Sequence, residues 1–466
     1  MQASEDVMLG VLRHVAPDAG GDARGWRAAL ALLGVCRRWR ALLAPAVYRH
    51  AHVGRASNAA LVESGGMGGC VRTVTAAQGP GDESLVRDVA RQLPPAGWPR
   101  ATLLRVRARF ASPAWRAPPD APDPRAAAAQ CVRLLPALAG LDVVARRPDA
   151  ATAAFLAALL PRCAARLRRL AWAGALPPAE PALPAPRIAH LALPASDPAR
   201  LPAVDPRRLQ SLALHNVGPA FAWGAFRLAG RALRFECLTS LALSNVGLDR
   251  ASATAAAAAA ATAGWPPLDG AFPCLERLAL EGACLDPRAL PALLRPPLRR
   301  LRIAWWAVDL RRAGVAPLGF LRSLELHHDL AAAATTDLHG FHCAASSALA
   351  LARGVPSVRM CLYALDSAAL ADLPARVCWP SLTALELHLP LDLRTAARLL
   401  RAAPDLRILV LPQLLPACCV DGGLPEDPVA AARHTLGRHA PALVRIDIAL
   451  AARHATRSHT PLGAEP

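Results

Sequence analysis

A six-residue pattern, L-x-x-L-x-L, recurs along the chain and constrains its fold more than any other feature. The second half of each copy alternates leucine with another residue, as expected for a strand with one buried face. The five clearest copies are "LQSLALHNV" (209–217), "LTSLALSNV" (238–246), "LERLALEGA" (275–283), "LRSLELHHD" (321–329) and "LTALELHLP" (382–390). Weaker copies begin at residues 167, 188, 298, 355, 406 and 443, and degraded ones at residues 71, 103 and 138. Such repetition predicts stacked units that share one core.

The spacing of the copies indicates the type of repeat. From residue 167 onward their starts lie 21 to 37 residues apart, and most spacings fall in or near the ~20–29-residue period of leucine-rich repeats. The intervening segments, such as 286–297 and 392–404, have a helix-like pattern with a proline. We therefore predict an α/β fold with a leucine-rich-repeat solenoid, a curved array of strands and helices. An all-helical solenoid is the alternative, and it fits poorly because L-x-L followed soon by Pro or Gly disfavours a helix.

The turn after each strand departs from the usual pattern. Leucine-rich repeats usually carry Asn or Cys eight residues after the first Leu, where the side chain satisfies backbone groups. Here other residues occupy that position: Val217, Val246, Ala283, Trp306, Asp329 and Pro390. The array therefore resembles the divergent leucine-rich repeats of intracellular fungal-type proteins, and we expect irregular turns.

The first fifty residues have a different pattern, which predicts short helices. In "EDVMLGVLRHV" (5–15) the apolar residues fall on one helical face and the acids lie in the first turn, where the helix dipole favours them. In "WRAALALLGVCRRWRALLAP" (26–45) a second apolar face faces away from the arginines, and Pro45 ends the helix. So small a helical module is marginal without a partner or a neighbouring domain.

This segment resembles an F-box. "VCRRWRALLAPAVYR" (35–49) is similar to the second half of that motif, V-C-[RK]-x-W-R-x-L-[AS]-x-P-x-L-[YW], and residues 5–15 are similar to the first half. The family usually opens with Leu-Pro, whereas this chain has Ala3 and Ser4. F-box proteins dock on a Skp-type adaptor, and through it on a cullin, in SCF-type ubiquitin ligases, while their repeats bind a protein substrate. The resemblance implies an adaptor-binding face made of Val7, Met8, Val11, Leu12, Val35, Cys36, Trp39, Leu42 and Leu43.

These patterns divide the chain into four parts. We expect an all-helical F-box-like module at 1–55, a Gly-rich joint at 56–69, the repeat array at 70–455, and a disordered tail at 456–466. The function implied is that of a substrate-recruiting ligase subunit. The alternative is a leucine-rich-repeat scaffold outside any ligase, whose N-terminal helices only cap the array, because solenoids need caps.

Composition narrows the remaining classes of function. The 466 residues include 53 basic ones, all arginine, and the net charge is +18. Because the absence of lysine together with abundant Ala, Pro, Arg and Gly is typical of a GC-rich coding sequence, we do not treat this charge as evidence for a specific nucleic-acid partner. No run reaches the ~18 apolar residues of a membrane span. Twelve scattered cysteines without a secretory signal predict reduced thiols in the cytoplasm, the nucleus or both.

No motif in the chain predicts catalysis, so we expect neither an enzyme nor a cofactor. The run "GGMGG" lacks the Lys-Ser/Thr of a phosphate-binding loop. The histidine-rich segment 327–343 contains residue types that can bind a metal ion. It lacks a second pair of ligands at a suitable spacing, so we expect no metal site.

We expect a substrate to bind the strand positions that alternate with the leucines. In the predicted solenoid these positions line the concave surface, and their charges have both signs, which fits a protein better than a nucleic acid. The candidate substrate-binding residues are Arg277, Arg300, Arg302, Glu325, His327, Glu386 and His388.

Overall fold

The computed structural model describes residues 44, 48–54, 59–64, 66–78, 85–108, 122–145, 148–174, 185–194, 204–215, 234–244, 271–281, 294, 297–304, 319–327, 355–361, 382–387, 391–414, 428–439 and 442–450. The predicted adaptor-binding residues, from Val7 to Leu43, lie outside these ranges, as does the predicted tail. The chain divides into two compact units, Met1–Cys274 and Leu275–Pro466, here called the first and second units.

The described residues of the first unit form eight strands, and each pairs in parallel with the next one along the chain. They are β1 (His50–Gly54), β2 (Thr73–Ala77), β3 (Leu103–Ala108), β4 (Gly140–Ala145), β5 (Arg169–Ala173), β6 (His190–Pro194), β7 (Ser211–His215) and β8 (Ser240–Ser244). Parallel strands cannot be joined by tight hairpins, and pairing in chain order is typical of a solenoid.

The second unit repeats this arrangement, with seven strands in chain order among its described residues. They are β9 (Arg277–Glu281), β10 (Arg300–Ala304), β11 (Ser323–His327), β12 (Ser357–Cys361), β13 (Ala384–Leu387), β14 (Ile408–Leu414) and β15 (Arg445–Leu450). All fourteen copies of L-x-x-L-x-L, including the degraded ones, contain a strand. The prediction of an α/β leucine-rich-repeat array is therefore confirmed, and the all-helical alternative is wrong for the described residues.

Helices fill several of the crossovers. In the first unit these are α1 (Ala59–Ser64), α2 (Leu85–Gln92), α3 (Pro124–Leu134) and α4 (Ala150–Cys163); in the second they are α5 (Leu393–Ala402) and α6 (Pro428–His439). Three of them, α3, α4 and α5, begin at an aspartate that caps the helix. Asp123 accepts hydrogen bonds from the backbone N–H groups of Arg125 and Ala126, and Pro124 occupies the first turn, where no intrahelical donor is needed.

The core is built from the leucines of the repeat. In β7, Leu212 and Leu214 are fully buried, while Ser211, Ala213 and His215 lie on the other face and are half-buried or exposed. The leucines of neighbouring strands are in register, so they stack into continuous rows. Each such side chain contributes about 1.5–3 kcal/mol by leaving water.

The sheet begins before the glycine-rich segment. Strand β1, inside the range expected for the N-terminal module, pairs with β2 from His50↔Thr73 to Gly54↔Ala77. The glycines at 66–69 therefore lie between two paired strands. Gly66 has φ +64°, and a Cβ on Gly68 would lie 3.3 Å from Cδ1 of the buried Trp98. These glycines serve a tight turn and a close contact inside the first unit.

Candidate protein-binding face

The face of each unit opposite the leucine rows is called here the open face. Its central row in the second unit consists of the middle residue of each strand, and the strand register places these residues side by side. Along β9–β13 this row reads Ala279, Arg302, Glu325, Arg359 and Glu386. Opposite charges thus alternate on neighbouring strands, about 4.8 Å apart.

The acidic residues of this row are paired with arginines. Arg359 lies between two of them, with its Nε 2.6 Å from Glu386 Oε2 and its Nη1 3.4 Å from Glu325 Oε1. Arg302 Nη2 lies 3.5 Å from Glu281 Oε1. Partial burial lowers the pKa of Arg359, but the two carboxylates outweigh it and the net shift is upward. Exposed pairs of this kind contribute about 0–1 kcal/mol each, and the single positive charge of Arg359 offsets only one of the two negative charges beside it.

The first residues of β9 and β10 form an exposed basic pair. Arg277 and Arg300 are in register on adjacent strands, and both are exposed. Among the described residues neither has an acidic partner. Two guanidinium groups on neighbouring strands repel each other, and each offers several N–H donors to a carboxylate. On the described part of the open face of the second unit, this basic pair therefore has more positive charge without an acidic partner than any other neighbouring positions.

The structure places most of the predicted substrate-binding residues on the open face. Arg277, Arg300 and Arg302 lie together on β9 and β10, and Glu325 and Glu386 lie on β11 and β13, on either side of β12. His327 belongs to β11 and is in register with Cys361. His388 lies outside the described residues.

Sequence reasoning missed Arg359, which sits at the centre of the ion-pair row. The signal was present, because "VPSVRM" (355–360) puts Arg359 at the position that Glu325 and Glu386 occupy in their own copies. Valine and methionine in place of leucine made this copy weak. Glu325 and Glu386, both candidate substrate-binding residues, therefore share an arginine that the sequence analysis did not include.

The open face of the first unit has a basic end and a nearly uncharged end. Asp142 accepts a hydrogen bond from Arg107 Nη2 at 3.2 Å and lies 3.8 Å from Arg105 Nε, so two arginines share one carboxylate. The next four strands carry alanine at the central position: Ala171, Ala192, Ala213 and Ala242.

The pKa values of two histidines in the first unit are lowered by burial and by nearby arginines. Burial and then the charge of Arg105 lower the pKa of His50. Burial and then the charge of Arg169 lower the pKa of His190. Both rings are therefore held in the neutral form more firmly than an exposed histidine.

The described residues contain no grouping of three or more His, Cys, Asp or Glu side chains suited to a metal ion. The histidine-rich segment considered above lies outside them from residue 328 onward. Burial raises the pKa of Cys131 to about 12 and that of Cys163 to about 11, so these thiols stay protonated and pack as small apolar groups. No described helix is both long and apolar enough to cross a bilayer.

Comparison with known proteins adds little to this description. No protein-family model matches the chain, and no curated protein matches it. Among solved structures, the chain is similar to one in the crystal structure of a TLR13–ssRNA13 complex, with 12% sequence identity and a TM-score of 0.36. The match covers 87% of this chain and 55% of the other, so the chain spans about half the length of that protein. The assignment of the fold rests on the repeat pattern and the strand register.

Proposed function

We propose that the chain is a non-enzymatic, substrate-recruiting subunit of an SCF-type ubiquitin ligase, acting in the cytoplasm or nucleus. In this proposal residues 1–55 bind a Skp-type adaptor, and the open face of the repeats binds a protein substrate. The mechanism is proximity, because holding a substrate beside the ubiquitin-loaded enzyme raises its effective concentration. No cofactor, metal, membrane or specific nucleic acid takes part.

One observation carries the binding half of this proposal: on the open face of the second unit Glu325 and Glu386 pair with Arg359, whereas Arg277 and Arg300 have no acidic partner among the described residues. A substrate segment with carboxylates would form charge-assisted hydrogen bonds with these two guanidinium groups. The uncharged central positions of β5–β8 give a nucleic acid neither the uniform positive charge nor the stacking aromatics that it needs. A protein segment is the partner that fits both units.

The ligase half rests on the F-box resemblance of residues 5–49. An adaptor would contact the apolar face that contains Leu12 and Trp39, and a buried aromatic of this kind carries a large share of interface energy. The test is co-expression of the full chain with a Skp-type adaptor from the same organism, followed by pull-down of wild type, Leu12→Asp and Trp39→Ala. Arg38→Ala, on the opposite face of the helix that the sequence predicts, serves as the matched control.

Retention of the adaptor by wild type and Arg38→Ala, with loss in the other two variants, is the expected result. Equal circular dichroism spectra would show that the array remains folded. No retention by the wild type would contradict the ligase role. A second comparison, between proteins captured by wild type and by an Arg277→Glu/Arg300→Glu variant, tests the substrate face. Arg394→Glu/Arg398→Glu on the exposed side of α5 is its control.

A specific observation keeps the scaffold function as the second candidate. Ala44, at the end of the F-box-like segment, is only 3% exposed, and its carbonyl accepts a hydrogen bond from the backbone N–H of Tyr48 two residues before β1. Close packing at this point is what a cap on the first strand requires. The adaptor pull-down separates the two functions, since a cap alone retains nothing.

A further inference from the structure

The last strand of the second unit has a backbone edge that no described residue occupies. Strand β15 pairs with β14 alone among the described strands. Arg445 donates its backbone N–H to the carbonyl of Arg407 at 3.0 Å. Because successive backbone groups of a strand point in opposite directions, the N–H and C=O groups of Ile446 and Ile448 point away from β14.

The core side of this strand is also incompletely covered. Ile446 and Ile448 are only half-buried, whereas Leu409 and Leu411, the residues in register with them on β14, are 2% and 1% exposed. Val444, just before the strand, is 84% exposed. The described core therefore stops at β15 with two half-buried isoleucines, next to the exposed Val444, and exposed edges of this kind invite another strand.

The sequence of the edge is complementary to itself. Residues 444–448 read Val-Arg-Ile-Asp-Ile, with apolar residues alternating with one positive and one negative charge. We propose that β15 pairs in antiparallel fashion with β15 of a second copy of this chain, about a two-fold axis at Ile446. Arg445 of each copy then lies opposite Asp447 of the other, and Val444 lies opposite Ile448.

The backbone geometry fits this register. In an antiparallel pair, the residues that exchange hydrogen bonds are those whose N–H and C=O groups point across the edge. Pairing centred on Ile446 uses Ile446 and Ile448, whose backbone groups point away from β14, and it ends at Val444, whose N–H donates to the carbonyl of Arg407 at 2.8 Å. Their side chains lie on the core side, so the same pairing covers the apolar surface left open at the end of the unit.

The charges on the other side of the strand change partners in this pairing. Within one chain, Arg445 Nε lies 2.7 Å from Asp447 Oδ2. Across the two-fold axis each guanidinium faces an equivalent carboxylate, so no charge loses its partner. Charged residues usually protect an edge by repelling a second copy, but this order of charges attracts one, because like charges never lie directly opposite.

Two charge reversals test the proposal with the full-length chain. Arg445→Asp gives a strand with two acids, and Asp447→Arg gives a strand with two arginines, so each places like charges opposite each other in a homodimer. We expect analytical ultracentrifugation to show a dimer for wild type and about tenfold or more weaker self-association for each variant. An equimolar mixture of the two variants should form a one-to-one heterodimer, detected by pull-down between differently tagged chains.

The controls are matched charge reversals away from the edge, Arg398→Asp on α5 and Asp405→Arg in the following turn. Both are expected to dimerise like the wild type, and circular dichroism should show all variants to be folded. A wild type that stays monomeric over a broad concentration series overturns the proposal. So does a dimer that both charge reversals leave intact, and so do folded, monomeric variants that fail to associate when mixed.

Discussion

The helices α4 and α5 begin with the same four-residue cap, Asp-x-x-Thr, but the two caps differ in one hydrogen bond. In α5, Asp392 Oδ1 accepts from the backbone N–H of Thr395 at 2.7 Å, and Asp392 Oδ2 accepts from Thr395 Oγ1 at 2.9 Å. In α4, Asp149 Oδ1 accepts from the N–H of Thr152 at 2.6 Å. There, however, Asp149 Oδ2 and Thr152 Oγ1 are buried without a hydrogen-bond partner.

This difference predicts opposite outcomes for one substitution. Thr395→Val removes a hydrogen bond to a carboxylate and should lower the free energy of unfolding by about 1.5–3 kcal/mol, the usual range for a hydrogen bond to a charged group. Thr152→Val replaces an unsatisfied hydroxyl on a fully buried residue with a methyl group of similar size. It should leave stability unchanged or raise it by up to about 1 kcal/mol, because a desolvated hydroxyl without a partner is costly.

Urea denaturation followed by circular dichroism measures both effects on the same chain. The midpoint should fall for Thr395→Val and stay or rise for Thr152→Val, with unchanged slopes. Asp149→Ala and Asp392→Ala act as references, since each removes a cap and should cost about 0.5–2 kcal/mol. Equal destabilisation by the two threonine substitutions would refute the reasoning, because it would mean that Thr152 also bonds to its aspartate.

Two further predictions concern the first unit and one helix of the second. Gly97 has φ +67°, and a Cβ there would lie 2.5 Å from the carbonyl oxygen of Leu134, so Gly97→Ala should lower the free energy of unfolding by more than about 1 kcal/mol. A Cβ on Gly437 in α6 would meet no described atom within 4 Å. Gly437→Ala should therefore raise the free energy of unfolding by about 0.5–1 kcal/mol in the same urea assay. The pKa of His50 is lowered in the folded state, so the unfolded chain binds the proton more tightly and stability should fall as the pH drops through 6.5. His50→Gln should flatten that fall in a pH series of unfolding midpoints, and an unchanged series would contradict the assignment.

The strands were predictable because their signal is local. A period of two with leucine on one side marks a half-buried strand from six residues alone, which is why even the degraded copies at 71, 103 and 138 coincide with β2, β3 and β4. Strand β1 was missed because its core positions are Ala51 and Val53 instead of leucine. Small side chains suffice there, but they leave no leucine pattern to detect.

The ion pairs of the open face could not be predicted from short sequence patterns, because their partners are far apart in the sequence. Arg359 meets Glu325 across 34 residues of sequence and Glu386 across 27, and only the register of three strands brings them together. Variable loop lengths hide that register in a sequence. Once the copies are aligned by their strands, however, the middle position of each copy gives the central row directly, with its alternating signs.

The pairing along that row determines what kind of partner the second unit can attract. Arg359 offsets one of the two negative charges of Glu325 and Glu386, so these carboxylates attract a basic segment less than two unpaired ones would. Arg277 and Arg300 have no acidic partner among the described residues. Long-range attraction at this face therefore favours an acidic segment, and it should weaken steeply with salt because exposed charges are screened within about 8–10 Å. The ion pairs of the central row, next to Arg277 and Arg300, have a different effect on a partner. A charged partner residue that binds there must displace an existing ion pair worth up to about 1 kcal/mol, so these pairs restrict where along the face a charged partner residue can bind. An acidic segment that starts at the basic pair and continues as uncharged polar residues over β11–β13 meets both conditions, and this defines the sequence character by which a substrate of the proposed ligase subunit would be recognised.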